Sequence, residues 1–133
     1  NNVENNVKNN DNINDKQRRY DEFCMLIKKK TKKKGFSQFI GELYLNKIIE
    51  LLDIDKVSSI LVNNINDILQ GDDIDMLESN IICLCELFNT IYEDINKVTN
   101  IRSHITSIRS FSDNPKIIKR LQFALMDLLD KIE

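Results

Sequence analysis

The chain has 133 residues, of which 41% are apolar and 30% are charged, and its net charge is −2. Three glycines and one proline are too few for a turn-rich all-β fold, so we expect one all-α domain. The nearly balanced charge predicts no global attraction to nucleic acid or to anionic membranes, and no apolar run approaches the roughly 20 residues that span a bilayer. We therefore expect a soluble, cytoplasmic protein without a membrane partner.

The first segment differs in composition from the rest of the chain. Residues 1–15 read NNVENNVKNNDNIND and are dominated by asparagine. Without aromatic residues or a hydrophobic period, such a segment cannot offset the entropy lost on ordering, so we predict a disordered tail. From residue 16 on, apolar residues recur at helical spacing, which predicts a folded domain over residues 16–133 and a first helix that ends or bends in the basic run KKKTKKKG.

The second predicted helix, Phe36–Leu52, contains a residue that helices avoid. Its apolar residues follow the i, i+3, i+4, i+7 spacing of an amphipathic helix, although Gly41 in its middle costs about 1 kcal/mol relative to alanine. Because glycine has no Cβ, we expect a neighbouring helix to approach closely there. A third helix is predicted to start with Asp53 or Asp55 as its N-cap and to end at Gly71.

Three more helical stripes complete the chain. Asp72 or Asp73 is expected to cap a fourth helix that extends to Ile95, and Asn114 and Pro115 are predicted to be the N-cap and first residue of the last helix. Short connections make neighbouring helices antiparallel. Equivalent helices recur about every 40 residues, the period of a two-helix solenoid repeat, but a compact up-and-down bundle has similar patterns, and periodicity alone does not separate the two.

The sequence offers little material for catalysis. It contains no H-x-x-x-H, no G-x-S-x-G and no glycine-rich phosphate loop, and its single histidine, His104, is expected at the edge of the core. Cys24, Cys83 and Cys85 lack C-x-x-C spacing and are expected to be small buried hydrophobes. We therefore predict a protein that is not an enzyme and that carries neither a metal nor a cofactor.

Clustered carboxylates raise the question of calcium. The residues concerned are Asp53, Asp55, Asp72, Asp73 and Asp75. A twelve-residue calcium loop with its inner glycine and terminal glutamate is absent from the sequence, and carboxylates at helix starts are favoured by the helix dipole. We expect helix caps rather than a metal site.

Basic residues form two groups. Six lysines within seven positions could neutralise several phosphates and bind RNA with little sequence preference, or could form a solvated helix end where cations suit the dipole. The candidate RNA-binding residues are Lys28, Lys29, Lys30, Lys32, Lys33 and Lys34. A second, weaker group surrounds the last inter-helix turn: Arg102, Arg109, Lys116, Lys119 and Arg120.

Three segments together resemble a known family. FIGELYLNKI, LESNIICLCELFNTIYEDIN and RLQFALMDLLD are similar, in order and spacing, to the FIGEL-F, E-S-L-E-C-L-C-x-L-L-x-T-I-G and R-I-R-F-M-L-Q-D segments of the middle domain of eukaryotic translation initiation factor 4 gamma. The resemblance covers Tyr20 to Glu133. Tyr92 and Gln122 depart from the pattern, replacing a glycine and an arginine, and Lys131 stands where the family has a C-terminal arginine.

The resemblance implies a stack of two-helix HEAT repeats, of which this chain would be the C-terminal half, about two and a half repeats. It also implies a non-catalytic scaffold in translation initiation that binds a DEAD-box RNA helicase of the initiation factor 4A type and modulates its open and closed states. Other initiation factors and mRNA are further candidate partners. The related domain of a nonsense-mediated decay or splicing factor, and an RNA-binding module using Lys28–Lys34, are the alternatives.

Repeat proteins bind along a row of exposed loops or helices, so we predict that the turn before the last helix contacts the partner. The predicted partner-binding residues are Arg109, Asp113, Asn114, Lys116, Lys119 and Arg120. Within the FIGEL motif, we expect Glu42 to contact backbone or side chains between repeats rather than to act as a catalytic acid.

Overall fold

The computed structural model describes residues 2–30 and 35–133. These residues form helices joined by turns, without a β-strand among them, so the predicted all-α class is confirmed. The helices are α1 (Asn2–Lys30), α2 (Phe36–Leu45), α3 (Leu51–Leu69), α4 (Ile74–Thr90), a 3-10 helix (Tyr92–Lys97), α5 (Ile101–Ser112) and α6 (Lys119–Ile132). No helix within the described ranges has the length and apolar character needed to cross a membrane.

By their internal contacts the residues divide into two units, Asn1–Lys30 and Thr31–Glu133, and the predicted boundary between a tail and a folded domain after residue 15 stays a prediction. The first unit is the single helix α1, and residues 2–15, for which composition predicts disorder, lie on it. Once a helix has started, each added residue contributes one further backbone hydrogen bond, so a polar segment can continue a helix that its own side chains do not stabilise. A polar helix of this composition is marginal in water, and disorder of this segment in solution stays a prediction.

The predicted second helix over residues 36–52 is wrong, because the structure has two helices there. The side-chain amide of Asn46 donates to the carbonyl of Glu42 at 2.8 Å, which satisfies a carbonyl left free at the end of α2. Lys47 then takes a left-handed conformation with φ of 62°, which turns the chain away. The apolar stripe runs across this break because α2 and α3 both bury an apolar face, so periodicity could not reveal it.

Carboxylates stabilise the helix starts, although not all in the predicted places. The N-cap of α3 is Glu50, and Asp53 lies three residues later, where its side chain accepts the Glu50 backbone N–H at 3.0 Å. Asp55 instead accepts the backbone N–H and the hydroxyl of Thr99, at 2.8 Å and 2.7 Å. Asp73 is the N-cap of α4 and accepts the Met76 N–H at 3.2 Å, as predicted.

The last helix begins later than predicted. The Asn114 side chain accepts the backbone N–H of Lys116 at 2.9 Å, so Asn114 and Pro115 form a turn and do not start a helix. α6 begins at Lys119 after the N-cap Ile118. The fourth helix is likewise shorter than predicted, since α4 ends at Thr90 and the 3-10 helix follows.

Three helices of the second unit run in the same direction. Gly41 of α2 lies against Thr90 of α4, and further along both segments the Tyr44 hydroxyl donates to Asp94 at 3.0 Å. The later residue of the first segment contacts the later residue of the second, so α2 and α4 are parallel. α6 contacts α4 as well, and the Lys131 ammonium near its C-terminus donates to Asn89 near the C-terminus of α4 at 3.3 Å. α2, α4 and α6 therefore share one direction. α3 contacts α4 and α5 contacts α6, and the short connection within each pair makes its two helices antiparallel.

Gly41 has the role that its position predicts. A Cβ at this residue would lie 2.7 Å from the Cγ2 atom and 2.9 Å from the Cβ atom of Thr90, which is much closer than van der Waals contact. The close approach of α4 to α2 at Gly41 is confirmed. The neighbouring Glu42, expected to contact other repeats, is exposed, and its side chain makes no polar contact within the described part of the chain.

Candidate partner-binding surface

Two inter-helix turns meet at one end of the second unit. The turn over residues 70–73 joins α3 to α4, and the turn over residues 113–118 joins α5 to α6. The Lys116 ammonium bridges the two turns by donating to the carbonyls of Leu69 at 2.6 Å and Gly71 at 3.4 Å. A cation at a helix C-terminus satisfies free carbonyls and suits the helix dipole. Lys116 therefore has an intramolecular role that the sequence did not reveal.

A cavity of about 320 Å³ lies between these turns. Its walls are mostly apolar, with carboxylates at the start of α4 and Lys116 at its edge. The lining residues are Ile68, Gly71, Asp72, Asp73, Ile74, Leu77, Pro115 and Lys116. The predicted partner-binding turn therefore lies beside a concave surface.

Two other predicted partner-binding residues also make intramolecular contacts. Arg109 on α5 forms an ion pair with Glu133, but both side chains are largely exposed, and such surface pairs contribute little to stability. The Asn114 side chain bonds Lys116 within the turn, and its carbonyl accepts the Gln122 side chain at 2.6 Å. Asn114 therefore shapes the turn, whereas Arg109 remains accessible.

The remaining three predicted residues, Asp113, Lys119 and Arg120, are exposed. Lys119 and Arg120 are the first two residues of α6, whose first turn has no acidic residue. The positive end of the helix dipole lies there, so two cations are locally unfavourable, and neither forms an ion pair within the described ranges. Two unpaired cations therefore lie side by side at the start of α6.

Sequence reasoning did not select the exposed apolar side chains beside these cations. Phe123 lies one turn after Lys119 and Arg120 on the same side of α6 and is 59% exposed, and Ile118 is 40% exposed. We call Ile118, Lys119, Arg120 and Phe123 the α6 surface. The sequence did contain a signal, because Phe123 is out of phase with the buried stripe formed by Leu121, Leu125, Leu128 and Leu129.

His104 lies deeper in the core than predicted. Only 5% of it is exposed, its ring centroid is 6.3 Å from that of Phe88, and its Nε2 atom has no hydrogen-bond partner in the described structure. Burial lowers the pKa of this imidazole, against a smaller opposite effect of the Asp55 carboxylate. His104 is thus a buried side chain of α5 rather than a member of an exposed site.

The cysteines lie in the interior or at its edge, apart from any metal-binding arrangement in residues 2–30 and 35–133. Cys83 and Cys85 are buried as predicted, Cys24 is half-buried, and burial raises the pKa of the Cys85 thiol to about 12. A buried thiol with so high a pKa is a poor nucleophile. Within the described ranges, no three His, Cys, Asp or Glu side chains are placed to hold a metal ion.

The predicted RNA-binding run lies partly outside the described structure. Lys32, Lys33 and Lys34 are outside the described residues, as is the side chain of Lys28. Lys29 is exposed and Lys30 is half-buried at the C-terminal end of α1. RNA binding by this run stays a prediction.

Comparisons with models of protein families, with curated proteins and with solved structures found no match. The resemblance to the initiation-factor middle domain therefore stays a prediction.

Proposed function

We propose that this chain is a non-catalytic scaffold domain of stacked HEAT-like helical hairpins that binds a DEAD-box RNA helicase through the α6 surface. The observation that carries this proposal is the pairing of unneutralised cations with an exposed aromatic ring at the start of α6. Arginine and aromatic side chains are enriched at the energetic centres of protein interfaces. A partner with an acidic surface beside an apolar pocket would fit.

The order of the helices supports the stacked arrangement. α2, α4 and α6 are alternate helices of the chain, they are parallel, and α4 contacts both of the others directly. Stacked two-helix repeats bring equivalent helices into such contact, whereas a four-helix up-and-down bundle places alternate helices across its diagonal. The antiparallel pairs α3 with α4 and α5 with α6 would then be successive repeats, preceded by α2.

The R-x-x-F-x-L-x-D segment of the resemblance supports the choice of surface. Leu125 in this segment is completely buried, so it serves the fold. Arg120, Phe123 and Asp127 are exposed, and folding alone does not require these residue types at exposed positions of α6. Their exposure is compatible with a role in contacting another protein.

The proposed mechanism is differential binding. A scaffold shifts the open and closed states of a helicase only as far as it binds one state more tightly than the other, with a typical coupling free energy of about 1–3 kcal/mol. The chain would contribute contacts and no chemistry. We expect this part of the scaffold to bind one helicase lobe, and to do so weakly.

The test is a titration of the chain against each separated lobe of a translation-initiation DEAD-box helicase. We expect the variant Lys119→Glu/Arg120→Glu to bind at least about tenfold more weakly, since reversing charge opposes an acidic partner. The same variant should melt at or above the wild-type temperature, because carboxylates suit the N-terminus of α6. A structural role for the two cations would instead lower the melting temperature.

A matched control is Lys47→Glu/Lys56→Glu, which reverses two exposed cations outside both basic groups that form no ion pair in the described structure. It should bind like the wild type. Equal loss of binding in both variants would mean that net charge alone attracts the helicase. Unchanged binding in the α6 variant would show that the α6 surface is not the contact.

A further inference from the structure

A second concave surface crosses the three parallel helices. It is a groove of about 370 Å³ to which α2, α4 and α6 all contribute. The lining residues are Gln38 from α2, Ile82, Cys85, Glu86, Asn89 and Thr90 from α4, and Leu121 and Ala124 from α6. Its apolar members are Ile82, Cys85, Leu121 and Ala124, so the groove offers a strip of apolar surface between polar edges.

The helices that form most of this groove carry charge of one sign only. α2 and α4 contain the carboxylates Glu42, Asp75, Glu78 and Glu86, and neither helix contains a lysine or an arginine. None of the four carboxylates forms an ion pair within the described ranges. α6 places one cation at the groove, because the Lys131 ammonium donates to the lining residue Asn89. The carboxylates of α2 and α4 outnumber this cation, so this side of the second unit has an excess of negative charge in an almost neutral chain.

The chemistry of the groove limits its occupant. Phosphate groups would be repelled by Glu86 and its neighbours, which disfavours nucleic acid. The lining residues 82–89 of α4 extend over about two helical turns or 10 Å, and the apolar side chains of α4 and α6 lie within that length, which matches the apolar face of a short helix. Cations flanking that face would meet the unpaired carboxylates of α2 and α4.

We propose that the groove formed by α2, α4 and α6 binds a basic amphipathic helix of a partner protein. The apolar residues of that helix would cover Ile82 and Ala124, and its lysine or arginine side chains would pair with Glu86 and Glu42. The groove is distinct from the α6 surface, because it uses Leu121 and Ala124 of α6 and not Lys119, Arg120 or Phe123. The scaffold would therefore have two independent contacts.

The test uses a synthetic peptide of about 18 residues, long enough to form a helix, with leucine at i, i+3, i+4 and i+7 positions and lysine elsewhere. A second peptide replaces every lysine with glutamate. Binding is measured by calorimetry at physiological ionic strength, and the methyl NMR signals of Ile82 and Ala124 are followed during the titration. We expect the lysine peptide to bind and to shift both signals, and the glutamate peptide to do neither.

Two variants locate the binding. Glu86→Lys removes the carboxylate at the groove and should weaken the lysine peptide at least about fivefold, which corresponds to about 1 kcal/mol. Ala124→Leu adds bulk to the groove at a half-buried position of α6 and should weaken binding of the lysine peptide by a similar factor. Asp67→Lys makes the same charge change as Glu86→Lys at an exposed position of α3 away from the groove, and it should leave the affinity within about twofold.

Several results would overturn the proposal. The first is absence of binding by the lysine peptide, and the second is equal weakening by Asp67→Lys. The third is concentration-dependent self-association of the chain that Glu86→Lys abolishes, since the occupant of the groove would then be a second copy. The helicase proposal is tested separately, because Lys119→Glu/Arg120→Glu should leave peptide binding intact or strengthen it. Each proposal can therefore fail in its own test without affecting the test of the other.

Discussion

Replacing Gly41 with alanine should destabilise the packing of α2 against α4. The new methyl group would lie 2.7 Å from Cγ2 and 2.9 Å from Cβ of Thr90, whereas carbon atoms in contact are normally about 3.5–4.0 Å apart. Rotation of the Thr90 side chain cannot remove the overlap, since its Cβ is attached directly to the helix. The Thr90 hydroxyl also donates to the carbonyl of Glu86 at 2.7 Å, which holds its rotamer. The helices must therefore separate.

Two opposing effects set the magnitude. Overpacking of this kind costs about 1–3 kcal/mol, while alanine in place of glycine inside a helix gains about 1 kcal/mol. We expect a net loss of up to about 2 kcal/mol in the free energy of unfolding, and for a domain of roughly 100 residues each kcal/mol lowers the melting temperature by about 4–8 °C. Urea and thermal unfolding of the full chain measure both quantities.

A control and a second substitution make the result specific. Gly71→Ala changes an exposed glycine whose added Cβ would meet only the Ile68 carbonyl oxygen, at 3.8 Å, so it should be neutral or stabilising. In the background of Thr90→Gly, which removes both obstructing atoms, Gly41→Ala should lose its penalty and become stabilising. If Gly41→Ala raised the stability of the wild-type chain as Gly71→Ala does, the close approach of α4 would not explain the glycine.

Three further outcomes follow from the charges. The hydrogen bond from the Tyr44 hydroxyl, and next that from Lys97, lowers the pKa of Asp94, so the contribution of Asp94 to stability is present above the unfolded pKa of about 3.9 and is lost as the pH falls through the folded value. In urea unfolding across the acid range, the stability of Tyr44→Phe should depend less steeply on pH than that of the wild type. An unchanged slope would contradict this account. Burial lowers the pKa of His104, so the unfolded chain takes up the proton at a higher pH than the folded chain, and stability should decline as the pH falls below about 6.5. In unfolding curves at pH 7.5 and 5.5, His104→Gln should remove that decline. A decline that remained in this variant would belong to another group. If the lysines of Lys28–Lys34 bind RNA, the logarithm of the affinity should fall linearly with the logarithm of the salt concentration. Replacing these lysines with alanine should make the slope smaller. An affinity that does not change with salt would exclude this role.

Local sequence patterns determined part of this protein. The spacing of apolar residues predicted an all-α chain, because the buried face of a helix repeats every 3.6 residues regardless of what it packs against. The N-cap of α4 was narrowed to Asp72 or Asp73, and Asp73 has this role because its partner, the Met76 N–H, lies only three residues away. Gly41 was recognisable as a close-contact position because a helix has no other reason to accept glycine there. These features depend on neighbours in sequence, so a sequence can show them.

Tertiary structure decided which side chains are left for a partner. The sequence placed Lys116, Lys119 and Arg120 in one basic group, yet Lys116 bonds the Leu69 carbonyl from across 47 positions while the other two remain unpaired. The exposed ring of Phe123 and the groove across α2, α4 and α6 likewise arise only when distant helices pack together. Hydrogen bonds and burial between residues far apart in sequence depend on how the helices are arranged, and hydrophobic periodicity is compatible with more than one arrangement.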